Sequence, residues 1–225
     1  PNISCPGECV EGLLAVPFQL ACLANNHIRD FNDEGLVETV EILKKAGIAT
    51  CGAGATPEEI AAPVLWQLGE ITLGILNVAE GEACLPPKEG EPGVASLDLA
   101  RIEKQLAELK ETADFTMVIV HAGREHVPSP PPYIQSAYRQ MVRAGADIVV
   151  AHHPHVPQGI EIYQGVPIIY SMGNFVFWQE EDNPYQHKGF FVELEFVGSR
   201  LGELRVVPYG IYPEGLALLK GAERE

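Results

Sequence analysis

Apolar residues alternate along this chain between short continuous runs and one-sided stripes, and the alternation predicts its elements. Phe18–Leu23 is a short apolar run that predicts a strand, and it ends in the polar stretch Ala24-Asn25-Asn26-His27. From residue 34 to 46 the apolar positions Leu36, Val37, Val40, Leu43 and Ala46 recur at helical spacing. Lys44 and Lys45 fall in the last turn and Gly47 follows as the residue that ends it. Ile48–Cys51 predicts the next strand, so strand, helix and strand read as a right-handed βαβ unit.

Val64–Gln67 and Thr72–Val78 flank Leu68-Gly69-Glu70 and predict a hairpin. Ala79–Gly93, rich in Gly, Pro and Glu, is a long loop. A helix follows over Leu97–Lys110, then an apolar strand, Phe115–Val120, that runs straight into His121. A loop over Val127–Pro132 leads to a helix over Tyr133–Ala144, stopped by Gly145. Ile148–Ala151 is another buried strand and enters His152-His153-Pro154-His155. Beyond it the pattern becomes antiparallel: Ile160–Tyr163 with Val166–Tyr170, and Gly189–Phe196 with Leu201–Pro208. Parallel αβ units first and antiparallel strands last predict one α/β domain over residues 1–208, with no internal repeat. Residues 209–225 read as a C-terminal tail.

Composition narrows the function classes. At 225 residues and 46% hydrophobic, the chain is long and apolar enough for one sizeable core. Fifteen basic against thirty-one acidic residues give a net charge of −16 with no basic stripe, which argues against a nucleic-acid partner. No apolar run approaches the ~20 residues of a membrane span, and Pro1-Asn2-Ile3-Ser4 does not open a signal peptide. Cys5, Cys9, Cys22, Cys51 and Cys84 are odd in number and scattered, so no disulfide framework is expected. Cys5 and Cys9 have CxxxC spacing without a second pair to complete a zinc site, and Cys22 and Cys51 read as core thiols. Unpaired cysteines favour a reducing, cytoplasmic setting.

Three predicted strand ends carry the polar residues: Asn25-Asn26-His27, His121, and His152-His153-Pro154-His155. Ligands of open α/β sheets bind outside the carboxyl ends of the strands. In an extended chain His153 and His155 would share one face, and Pro154 biases His153 towards that extended form. Two converging imidazoles suit zinc, manganese or iron. Each histidine alone is more simply a hydrogen-bonded structural residue; three clusters at separate strand ends are what favour a metal. His126 and His187 fall in loops and read as ordinary surface histidines.

These residues carry a resemblance. Leu23-Ala24-Asn25-Asn26-His27 with Asp30 and Gly35, His121-Ala122-Gly123-Arg124-Glu125, and His152-His153-Pro154-His155-Val156 are similar to the motifs of the poly-γ-glutamate capsule biosynthesis proteins. Ala144-Gly145-Ala146-Asp147, Gln158-Gly159 and Tyr170-Ser171-Met172-Gly173-Asn174-Phe175 extend the likeness over roughly residues 1 to 196. That family is the CapA type within the calcineurin-like metallophosphoesterase superfamily. The resemblance implies a layered α/β/β/α sandwich. It implies Asn26, His121, His153 and His155 as metal ligands and His27 as the catalytic acid. Asn25, Asp30, Arg124, Glu125, His152 and Asn174 would orient those groups or face the substrate.

Two departures stand out. The family opens on a strand with a Gly-Asp motif and then an Asn-Leu-Glu motif, whereas Pro1-Asn2 resembles the stretch after both, so the domain is expected to lack its N-terminal strand. The Trp and Tyr of the family's HWGxEY are Ala122 and His126 here. By this resemblance the complete protein would hold up to two divalent cations, manganese, zinc or iron, and hydrolyse a phosphoester. The partners it implies are an unidentified phosphoester or acidic polymer and other capsule-synthesis proteins, and it allows an extracytoplasmic location. The alternative is a non-hydrolytic scaffold that binds polymer or a partner protein.

Overall fold

A computed structural model describes residues 2–81, 90–178, 183 and 185–220. Near the N-terminus a single turn over Gly7–Cys9 leads into α1 (Val10–Ala15), in a stretch where the apolar pattern predicts no element. Then come β1 (Leu20–Cys22), α2 (Asn32–Lys45), β2 (Ala49–Cys51), β3 (Ala53–Gly54), α3 (Pro57–Ala61), β4 (Val64–Leu68) and β5 (Ile71–Ala79). They are followed by β6 (Gly93–Val94), α4 (Leu99–Leu109), β7 (Phe115–His121), α5 (Pro132–Ala144), β8 (Ile148–His152), β9 (Ile160–Tyr163) and β10 (Val166–Ile169). The last strands are β11 (Lys188–Val197), β12 (Arg200–Tyr212) and β13 (Gly215–Leu218).

Six strands form the main sheet in the order β4-β5-β7-β8-β10-β9. Its centre, β5-β7-β8-β10, is parallel, and the two edge strands are antiparallel to their neighbours. Central parallel strands are covered on both faces, so they read as unbroken apolar runs. In β7 the period of two sends Val118 and Val120 towards α4 and α5, where they join Ile102, Leu106, Ile134 and Met141. Met117 and Ile119 face the other way, towards Phe190 and Val192 of β11.

Local chemistry sets the helix ends. Asp98 caps α4 by accepting from the amides of Ala100 and Arg101. Pro132 opens α5 at a position whose amide would be unpaired in any case. Gly145, left-handed at φ 112°, closes α5 and turns the chain into β8. These signals place β7 and β8 side by side with His121 opposite His152.

Two readings of the sequence need correction. The strand predicted over Phe18–Leu23 is shorter: Phe18 is exposed, and β1 pairs with β2 in a separate two-stranded parallel sheet. Residues 209–220 are not a tail. β12 continues through Tyr209 and Ile211, each 2% exposed, and β13 pairs back on it with Tyr209 opposite Leu218. Burial of that alternating pair carries the strand past Pro208. Residues 221–225 lie outside the described residues, as do residues 82–89 of the predicted loop, Cys84 among them.

Candidate metal centre

The parallel register of β7 and β8 puts two imidazoles in contact: His121 Nδ1 and His152 Nδ1 are 2.9 Å apart. One proton serves that contact. On its other side His121 Nε2 lies 2.8 Å from Asn26 Oδ1. Two donors sharing one cation at ~2.1 Å sit about 3 Å apart when at right angles, so this separation also fits a shared cation. The ring of His153 comes within 4.6 Å of the His121 ring.

Burial, reinforced by the neighbouring histidines His152, His153 and His155, pushes His121 down to about 2. Burial likewise lowers His152 to about 4, and it lowers His153. These rings are therefore neutral near pH 7, the state in which imidazole binds metal.

Asn26 reaches β7 because the loop after β1 is fastened by a buried asparagine. Asn77 of β5, 3% exposed, accepts from the Ala24 amide at 2.7 Å and donates to the Ile119 carbonyl at 3.2 Å. Gly52, left-handed at φ 86°, leaves room for the Asn77 amide where a Cβ would collide. The sequence reading missed Asn77; its only signal is a lone amide within the apolar run Thr72–Val78.

Asn25 shapes the next turn. Its Oδ1 accepts from the His27 amide at 2.8 Å and its Nδ2 donates to the Leu23 carbonyl at 3.0 Å. His27 Nδ1 then meets Asp30 Oδ2 at 2.8 Å, and the same oxygen accepts from the Ile3 amide at 2.8 Å. Burial alone would raise the Asp30 pKa, but the Ile3 amide and His27 outweigh it and hold the carboxyl below its ordinary value. His27 lies near enough to the cluster for its charge to contribute to the lowering of both His121 and His153.

The chain after β8 does not continue as a strand. His153 has φ 105° and His155 φ 61°, so the extended backbone expected from Pro154 is not adopted. Tertiary hydrogen bonds override that local bias. The His126 amide donates to the Pro154 carbonyl at 2.8 Å, and His155 Nδ1–H donates to Asn174 Oδ1 at 2.8 Å. Left-handed backbone at a non-glycine residue costs about 1–3 kcal/mol and gathers at functional sites. Among the described residues, three of the five with such backbone are His126, His153 and His155.

Asn174, buried, also donates to the Gln186 carbonyl at 3.1 Å, which fixes its amide and leaves His155 Nε2 free to act as a ligand. His126 was read as an ordinary surface residue. Its ring stacks on His155 at 5.7 Å, and its Nδ1 accepts from the Gln186 side chain at 2.8 Å. Its displacement of the expected aromatic at this position gave no sign of that role. His187 stacks instead on Trp178 at 4.3 Å.

Glu125 supplies the carboxylate. One of its oxygens is 3.9 Å from His153 Nε2 and the other 3.6 Å from His126 Nε2. Among the described residues, Glu125, His153 and His155 present ligand atoms that all lie within 4.8 Å of one another. Arg124 stays exposed on the same loop. His121, His152, His153 and His155 line a cleft of about 450 Å³ together with Phe18, Phe175 and Tyr209.

The described residues fit a divalent cation on the evidence of one atom in particular. His153 Nδ1 is buried with no hydrogen-bond partner, beside two donors already converging. An unpaired buried nitrogen is costly unless something binds it.

Relatives and structural neighbours bear on this geometry. The chain is 32% identical over 184 residues to the capsule biosynthesis protein CapA of Bacillus anthracis, covering 79% of this chain and 44% of the relative. It is 35% identical over 177 residues to the PGA biosynthesis protein CapA of Bacillus subtilis, covering 76% and 46%. The chain thus spans about half the length of the curated relatives it matches. Its fold is that of the calcineurin-like metallophosphoesterases. The 5'-nucleotidase precursor of Thermus thermophilus superposes with a TM-score of 0.59 at 16% identity, over 93% of this chain and 42% of that one. The sulfate thiohydrolase SoxB from the same source superposes at 0.57 and 15%, over 92% and 35%. Residues 1–179 match the family described as bacterial capsule synthesis protein PGA_cap, and the chain belongs to that family.

Proposed function

We propose that this chain carries the metal-dependent phosphoester-hydrolysing centre of a capsule-biosynthesis protein. The observation that carries the reading is the meeting of Asn26 Oδ1 and His121 Nε2 at 2.8 Å beside the orphaned Nδ1 of His153. Asn26, His121 and His153 would hold a divalent cation, manganese, zinc or iron, with His155 facing the same space. Such a cation supplies Lewis-acid polarisation of a phosphoryl oxygen.

The remaining work falls to the chain's own side chains. Asp30 accepts the Nδ1 proton of His27, which fixes the ring and leaves Nε2 as the atom that gives a proton to the leaving oxygen. His152 holds the far nitrogen of His121, and Asn174 that of His155, so that both rings present their Nε2. Glu125 reaches the outer nitrogen of His153 and orients it. The substrate class is a phosphoester formed or consumed in poly-γ-glutamate capsule synthesis.

The test is metal content by elemental analysis after dialysis at neutral pH, together with hydrolysis of a generic phosphodiester. We expect one tightly held divalent cation per chain, lost in His121→Ala. A fully dialysed protein that binds no metal would overturn the reading. A second reading is favoured by one fact: Glu125 is the sole carboxylate in the cluster of candidate ligand atoms among the described residues. Two-cation hydrolysis generally uses bridging carboxylates. A non-hydrolytic, metal-holding scaffold would bind the cation and leave the phosphodiester intact.

A further inference from the structure

We propose that His152 is a positioning residue that works as a proton relay: His121 and His152 exchange tautomers when the site takes up a divalent cation. The metal-free half of the argument stands on hydrogen-bond geometry alone. The exchange rests on the proposed function, in which His121 Nε2 is a ligand.

Both rings are neutral near pH 7, so each carries one proton on one of its two nitrogens. Asn26 Oδ1 is an amide oxygen and only accepts, so its 2.8 Å contact with His121 Nε2 requires the proton on that nitrogen. His121 Nδ1 is then bare. The 2.9 Å contact between His121 Nδ1 and His152 Nδ1 must therefore take its proton from His152. The metal-free pair is His121 Nε2–H with His152 Nδ1–H, which is the wrong tautomer for a ligand at His121. The strands hold the rings to this contact. His121 and His152 close β7 and β8 directly opposite each other, and the Ala122 amide donates to the His152 carbonyl at 3.1 Å.

When Asn26 Oδ1 and His121 Nε2 both serve as ligands, the requirement reverses. His121 Nε2 offers its lone pair, so the proton of that ring sits on Nδ1 and points at His152. His152 accepts it through a bare Nδ1 and carries its own proton on Nε2. One proton leaves His121 Nε2 for solvent, one passes from His152 Nδ1 to His121 Nδ1, and one from solvent joins His152 Nε2. Neither ring changes its charge. Both rings line the cleft, which gives the two exchanged protons a path to water. Position 152 therefore needs a side chain that donates in one state and accepts in the other. An apolar residue there would leave His121 Nδ1–H without an acceptor, and loss of such a partner weakens metal binding about 10–100-fold.

The experiment reads the tautomer of each ring by proton–nitrogen NMR of the whole chain with isotope-labelled histidine, first stripped by chelator and then with one equivalent of zinc. Resonances are assigned through single substitutions of each histidine. The expected result is Nε2–H on His121 and Nδ1–H on His152 without metal, and the reverse on both with zinc. By calorimetric titration His152→Leu should bind zinc about 10–100-fold more weakly. His152→Asn, whose amide can turn to donate or accept near the place of Nδ1, should stay within about threefold of the wild-type chain. Nδ1–H on His121 in the stripped chain, or bound zinc with both tautomers unchanged, would overturn the relay and leave the proposed function standing. Wild-type affinity in a folded His152→Leu chain would overturn the need for a partner at 152. A chain that binds no zinc would overturn the proposed function and the exchange with it.

Discussion

Acid should destabilise the metal-free chain already above the range in which carboxylates titrate, because its buried histidines exclude protons. In the unfolded chain a histidine takes a proton near its ordinary 6.5; folded, His121 does so only near 2 and His152 near 4. Both folded values are depressed, so between about 4 and 6.5 the unfolded state binds more protons and stability falls as pH falls. A pH of about 5 lies about 1.5 units below the unfolded value of each ring, a loss of about 2 kcal/mol apiece relative to neutral pH. Water in the open cleft screens part of this, which leaves an expected loss of about 2–4 kcal/mol for the pair. Against a typical total of about 5–15 kcal/mol the loss is large. Asp30, Glu59 and Glu161, whose pKa values are lowered, contribute in the same direction only below their ordinary values near 4. Urea unfolding of chelator-stripped protein at about pH 7.5 and about pH 5 measures the difference. The double substitution His121→Gln with His152→Gln should remove most of it. Equal stability of the wild-type chain at both pH values, or an undiminished acid loss in the double variant, would refute the argument.

The site residues give further expectations. Replacing His27 with Ala should leave metal content unchanged and lower phosphodiester turnover by about 100-fold, the usual size of a general-acid effect; loss of metal would make His27 a ligand instead. Asn174→Ala removes the acceptor of His155 Nδ1, and calorimetric titration should show metal affinity weakened about 10–100-fold. Asn77→Ala strips the Ala24 amide and the Ile119 carbonyl of their buried partner, at about 1–3 kcal/mol by urea midpoint, and loosens Asn26 with them. In the companion variant Gly52→Ala the new methyl strikes the Asn77 amide in left-handed backbone, and a loss above about 1 kcal/mol is expected.

Much of this protein is local and therefore written in the sequence. Helical spacing from Leu36 to Leu43 and the stop at Gly145 each act within a few residues, and both helices appear where the pattern places them, to within about two residues. Unbroken apolar runs entering His121 and His152 already imply covered parallel strands with polar ends, and the family motifs mark Asn26, His153 and His155. What those patterns do not contain is any contact between distant segments. Only packing brought Asn77 under the loop at Ala24, Gln186 against His126, and Ile3 onto Asp30, since each partner lies tens of residues away. Packing also reversed one local preference: Pro154 favours an extended His153, yet hydrogen bonds from His126 and to Asn174 accompany left-handed backbone at both candidate ligands, His153 and His155. The preference of a residue before proline acts on one dihedral pair alone, whereas these hydrogen bonds tie the turn to two distant segments and so decide its conformation.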